Sequence, residues 1–117
     1  MTILFSDSLF LFSCRFYAII VVRITDAFNV ENPPDQREFE DARAYDSQAS
    51  PAQLYYITAA WDDPDRVPSS FIVGNGSTTV VDGTTYENTN LRSDTSYAVL
   101  FRIDIQSDTD MVRYLPL

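Results

Sequence analysis

Apolar and polar positions along this chain alternate in short bursts rather than in helical steps. From Ser96 to Asp104 the residues Tyr97, Val99, Phe101 and Ile103 fall at every second place, which predicts a half-buried strand over 96–104. Phe16 to Val22 is a nearly continuous run of aromatic and β-branched residues. It predicts a strand over 15–25 that is central and covered on both faces for part of its length. Leu54–Trp61, Ser70–Val73, Thr78–Val81, Thr84–Asn88 and Met111–Leu115 complete the series, with Thr78–Val81 read as a hairpin arm. Asp62-Asp-Pro-Asp65, Gly74-Asn-Gly76, Asp82-Gly83 and the polar stretch 106–110 supply turn chemistry between them, and the glycines provide positive φ. About six or seven short strands punctuated in this way predict an all-β sandwich.

One local spacing sharpens that expectation. Leu91 lies six places before Tyr97, at the head of the alternating strand. This is the arrangement of a tyrosine corner, in which the ring fills the core edge and the hydroxyl bonds back to backbone near Leu91. Leu91 and Tyr97 are therefore the structural corner residues. The expected core is Tyr17, Ile19, Val21, Ile57, Phe71, Val99, Phe101 and Ile103, or the opposite-parity set on the first strand.

Two stretches break the pattern. Residues 1–13 are dominated by Leu, Phe and Ser without either period, and they stay unassigned. Residues 29–50 form an acidic insertion opened by Pro33-Pro34 and closed by Pro51. Within it, Asp35 to Tyr45 combines good helix formers, an acidic first turn and preceding prolines, which predicts a short helix inside 33–46 with Phe39, Ala42 and Tyr45 on one face.

A length of 117 residues suits one domain. Eight Arg stand against 17 acidic residues, with no Lys and no His, for a net charge of −9. That sign disfavours phosphate backbones and anionic lipid surfaces, so neither nucleic acid nor a membrane is the expected partner. The longest apolar run, Phe16 to Val22, is far short of the ~20 residues a spanning helix needs, and the opening residues lack a signal-peptide pattern. Cys14 is the single cysteine, so no internal disulfide forms, and it reads as a small buried apolar residue.

Catalytic chemistry finds little support. Without His there is no His-based triad, no histidine general base and no zinc site of the usual kind. Asp62, Asp63 and Asp65, and likewise Asp104, Asp108 and Asp110, cluster in turns, where they read as solvated residues; neither set has calcium-loop spacing. No catalytic, metal or cofactor-binding residue is expected. Tyr56 and Trp61 read as core, whereas Tyr55 and Tyr86 could face either way. Asn75-Gly76-Ser77 is an N-glycosylation triplet in an expected exposed turn.

Tyr55-Tyr-Ile-Thr-Ala-Ala60, Ser70-Phe-Ile-Val-Gly-Asn-Gly-Ser77, Tyr86-x-Asn88-x-x-Leu91 and Thr95-Ser-Tyr97 come in one order. Over residues 14–117 this series resembles the membrane-proximal fibronectin type III region of receptor-type protein tyrosine phosphatases. Ala60, Asn75, Asn90 and Asp94 depart from the family's usual acidic residue, Asp, Pro and Gly. The resemblance implies a fibronectin type III-like sandwich truncated at its N-terminus, because such a module has two strands before the one at 16–25. A missing edge would then leave Ile19–Val22 open to intermolecular pairing. The implied role is a non-catalytic extracellular spacer and recognition module with protein partners, part of a plasma-membrane glycoprotein. Phe12-Ser-Cys-Arg-Phe16 has none of the glycine-rich character of a phosphatase loop, so no phosphatase activity is implied for this chain. The alternative is a structural or adhesion module with no phosphatase attached.

Overall fold

A computed structural model describes residues 2–4, 14–25, 42–50, 52–105 and 111–116, with backbone alone for 14–15, 105 and 111–116. The described residues are mostly β-strand. Their order is β1 (Thr2–Leu4), β2 (Cys14–Arg23), β3 (Tyr55–Trp61), β4 (Ser70–Ile72), β5 (Thr78–Val81), β6 (Thr84–Glu87), β7 (Tyr97–Ile105) and β8 (Met111–Pro116). A 3-10 turn at Pro64–Arg66 is capped by Asp63, whose carboxylate accepts from the Asp65 N–H at 2.9 Å. The chain is all-β.

The central sheet is four-stranded and antiparallel, in the order β3-β2-β7-β8. A two-stranded β1–β4 ribbon and the β5–β6 hairpin complete the strand pairs. β2 is apolar on both sides because both its faces are covered, and Tyr17 through Val22 are each at most 1% exposed. Tyr17, Ile19 and Val21 pack with Val99, Phe101 and Ile103 of β7, with Tyr56, Ala59 and Trp61 of β3, and with Ile3, Phe71 and Val73 from the ribbon side. Trp61 meets Phe71 edge to face at 5.6 Å, and Tyr17 stacks on Phe101 at 6.1 Å. Ala18, Ile20 and Val22 face the other way, against Ile57, Ala60 and Val81, with Tyr55, Tyr86 and Leu100 closing that layer. Each large side chain buried here stabilises the fold by roughly 1.5–3 kcal/mol.

The two layers are set by a β-bulge. Along β2 and β3, Ile19 pairs with Ala59 but Ile20 pairs with Ile57, so Thr58 is an extra residue on β3. Strict alternation would put Ile57 on the same face as Ala59 and Trp61. The bulge moves it to the opposite face, which corrects the expected core set at Ile57 alone. Tyr56 and Trp61 are buried, whereas Tyr55 and Tyr86 are half-buried against the second layer.

The sheet bears on the other expectations in turn. Thr78–Val81 pairs with Thr84–Glu87 across Asp82-Gly83, a two-residue turn with both φ positive at 50° and 80°. Ile19–Val22 is not an open edge, because β2 is flanked by β3 and β7. Thr2–Leu4, in the unassigned segment, forms β1. Of the helix expected in 33–46, residues 33–41 lie outside the described ones, and 42–46 are not helical. Ala44 instead makes a parallel bridge to Ile57, whose N–H donates to the Arg43 carbonyl at 2.7 Å. The pull of β3's free edge outweighs local helix propensity there. The Gln53 side chain holds this stretch by donating to the Ala44 carbonyl (3.1 Å) and accepting from the Asp46 N–H (2.7 Å).

Candidate functional site

The turn after β4 and the approach to β7 meet around one buried asparagine. Asn88 follows β6 and is 1% exposed. Its Oδ1 accepts from the Thr58 hydroxyl at 2.8 Å and from the Gly74 N–H at 2.6 Å. Its Nδ2 donates to the Ile72 carbonyl at 2.8 Å and to Asn75 Oδ1 at 2.8 Å, with a longer contact to Ser77 Oγ at 3.4 Å. The backbone closes the same knot, since Asn88 N–H donates to the Ser77 carbonyl and Gly76 N–H to the Asn88 carbonyl. A buried amide is tolerable only when satisfied in this way. The bulge at Thr58 aims a hydroxyl from β3 at Asn88, so the irregularity and the polar knot depend on each other.

Gly74 has φ of +86°, and a Cβ built there would lie 3.1 Å from Leu91 Cγ and 3.2 Å from Leu91 N. Only glycine gives both the left-handed backbone and the close approach. Through that approach the turn touches the corner. Leu91 and Tyr97 pack on the edge of the first layer, and the Arg92 N–H donates to the Tyr97 hydroxyl at 3.1 Å. The bond is exposed rather than buried, and it reaches one residue beyond Leu91.

Asn75 sits exposed at the tip of the turn. Its Oδ1 accepts both the Ser77 N–H (2.9 Å) and Asn88 Nδ2, so the amide nitrogen is the atom left out of these bonds. Asp62 and Arg66 form an exposed pair at 4.0 Å, and Asp63 caps the 3-10 turn. Asp104 does not join a carboxylate cluster among the described residues. It is held by Arg102 through Nε at 2.9 Å and Nη2 at 3.3 Å, while the guanidinium also lies 5.8 Å over the Phe16 ring. Asp108 and Asp110 lie outside the described residues, as does the Cys14 side chain. Among the described residues no group of three His, Cys, Asp or Glu side chains converges on a metal-sized site.

A cavity of about 130 Å³ opens beside the corner, between the ends of β2, β3 and β7 and the stretch 45–53. Arg23, Arg92, Tyr45, Tyr56, Tyr97 and Asp46 contribute to its walls. Tyr45 and Tyr56 meet edge to face at 5.2 Å. Burial, then the neighbouring Tyr97 and Tyr45, push the Tyr56 phenol up to about 12, while Arg23 pulls the other way. Tyr56 is therefore a neutral hydroxyl at any ordinary pH. Arg23 was not singled out in the sequence, where it reads as the residue that ends an apolar run. Its wall position follows from the pairing of Arg23 with Tyr97 across β2 and β7.

Set beside known protein families, curated proteins and solved structures, the chain matches none of them. No helix among the described residues is long and apolar enough to cross a membrane.

Proposed function

We propose that this chain is a non-catalytic recognition and spacer module of fibronectin type III kind, similar to the membrane-proximal ectodomain of a receptor-type protein tyrosine phosphatase. The observation that carries the reading is the four-stranded sheet β3-β2-β7-β8 with Tyr97 at the head of β7. A sandwich of that kind places its C′, C, F and G strands in this order, with the corner tyrosine at the start of F. Ile3 and Phe71 of the β1–β4 ribbon pack on one face of that sheet, which supports the reading of a second layer. Function then rests on surfaces, with exposed loops for protein partners at the cell surface.

In an extracellular setting Asn75 is the expected glycan acceptor. It is exposed, and its Nδ2 is the free end of an otherwise anchored amide. The test of the whole reading is to sequence the native transcript on both sides of the reading frame. Upstream strands, a membrane span and a Cys-x5-Arg phosphatase loop are expected. A frame that continues only into further sandwich modules overturns the phosphatase assignment in favour of an adhesion module.

A further inference from the structure

We infer that Asn75 is a deamidation site held off by the Asn88 knot, so that the modification marks chains whose turn has opened. The inference stands apart from the receptor reading and concerns the chain without a glycan. Asn75-Gly76 is the single Asn-Gly pair in the sequence. Asparagine is among the thermolabile residues, and a following glycine makes it most so, because no Cβ obstructs the next backbone nitrogen. Both residues are exposed, and no described atom lies within 4 Å of where a Gly76 Cβ would stand, so solvent reaches the pair. The reaction is an attack of the Gly76 nitrogen on Asn75 Cγ. The nitrogen gives its proton to solvent base, the N–Cγ bond forms, the Cγ–Nδ2 bond breaks, and ammonia leaves with a proton taken from water. Water then opens the resulting succinimide at either carbonyl, giving aspartate or isoaspartate.

In the folded turn the electrophile is primed and the nucleophile is not. Asn75 Oδ1 accepts from the Ser77 N–H at 2.9 Å and from Asn88 Nδ2 at 2.8 Å, which polarises Cγ and fixes the amide. The Gly76 N–H, however, donates to the Asn88 carbonyl at 2.8 Å. Only the deprotonated nitrogen attacks, and a hydrogen bond to the neutral N–H keeps the proton in place, so this bond decides. Attack therefore waits for local opening of the turn, in which all three bonds are lost. At the usual net worth of internal hydrogen bonds, that requirement slows the reaction on the order of a hundredfold relative to the unfolded chain. The two products fit differently. Aspartate keeps both acceptor bonds, because the Nδ2 it replaces takes no part in them. Isoaspartate adds a methylene to the backbone before Gly76 and draws its N–H off the Asn88 carbonyl, so the knot does not close again.

The test follows deamidation of the full chain, produced without glycosylation, in mildly alkaline buffer with rising guanidinium chloride. Peptide mapping locates the new carboxylate at residue 75 and identifies isoaspartate. The rate in buffer is expected to lie about a hundredfold below the rate in the fully denatured chain. Below the unfolding transition it should stay flat with denaturant, because opening one turn exposes little surface, whereas global unfolding would make it climb steeply. Asn88→Ala, which frees the Asn75 amide and loosens the turn, should raise the rate in buffer by about tenfold. Asn75→Asp should unfold at the native urea midpoint or above it. The comparisons on the unaltered chain and on Asn75→Asp decide the matter even where Asn88→Ala does not fold. Equal rates in buffer and denaturant, a steep climb below the transition, no rise in folded Asn88→Ala, or a lower midpoint for Asn75→Asp would each overturn the proposal.

Discussion

Replacing Asn88 by Ala removes the amide that joins β3, the Gly74 turn and the end of β6. Three groups lose their partner at once: the Gly74 N–H, the Ile72 carbonyl and the Thr58 hydroxyl. The hydroxyl can rotate to another acceptor, but the two backbone groups cannot. Each stranded buried group costs about 1–3 kcal/mol, and the lower half applies here because the turn side of the knot is part-buried. The expected loss is therefore about 3 kcal/mol, a large share of the 5–15 kcal/mol that holds a typical domain together. Asn88→Asp should be worse at neutral pH. It keeps Oδ1 but turns the donor end into an oxygen that faces the Ile72 carbonyl and Asn75 Oδ1. Urea unfolding followed by Trp61 fluorescence measures both, read as a fall in the midpoint at constant slope. Thr58→Val completes the design: alone it costs about 1 kcal/mol, and in combination with Asn88→Ala it adds little, because the bond is already gone. An Asn88→Ala loss below about 1 kcal/mol, or full additivity with Thr58→Val, would refute the knot as the link between bulge and turn.

Tyr97→Phe should cost only about 0.5–1 kcal/mol by chemical denaturation, since water can replace the exposed bond to Arg92; a loss above about 2 kcal/mol would mean that the bond is sealed in the folded state. Gly74→Ala should destabilise by about 2 kcal/mol, adding a clash with Leu91 to the φ penalty. Gly76→Ala, with nothing within 4 Å of its added Cβ, should cost about 1 kcal/mol, so equal losses would remove the Leu91 contact from the explanation. Stability should also fall in alkali. The Tyr56 phenol loses its proton near 10.0 in the unfolded chain but near about 12 in the folded one, so the stabilisation is whole below 10.0 and lost as pH rises to about 12. That interval bounds the loss at about 3 kcal/mol, and Tyr56→Phe should abolish the step in a pH series of unfolding curves.

The candidate cavity and the polar knot were legible to different degrees. The Asp82-Gly83 turn and the Tyr97 corner could be read because neighbouring residues impose them. Asn88 stood inside a recognisable spacing with Leu91, yet nothing in that spacing says that an asparagine at a strand end is buried. Thr58 looked like an ordinary member of an alternating strand, and no local signal marks it as a bulge. Arg23 looked like a stop to an apolar run. Residues 42–46, at the end of the expected helix, are not helical because the edge of β3 offers backbone partners that propensity cannot see.

Period, turn chemistry and apolar content are properties of neighbours in the chain, so the sequence by itself determined that this protein is built of short strands and where most of them run. Thr58 and Asn88 meet across thirty positions, Gly74 and Asn88 across fourteen. Only the tertiary structure decided which face Ile57 takes, that Asn88 is buried, and that Arg23 walls a cavity. Each of those outcomes depends on which distant group comes to occupy the space beside the residue, and an alternating pattern holds no record of that.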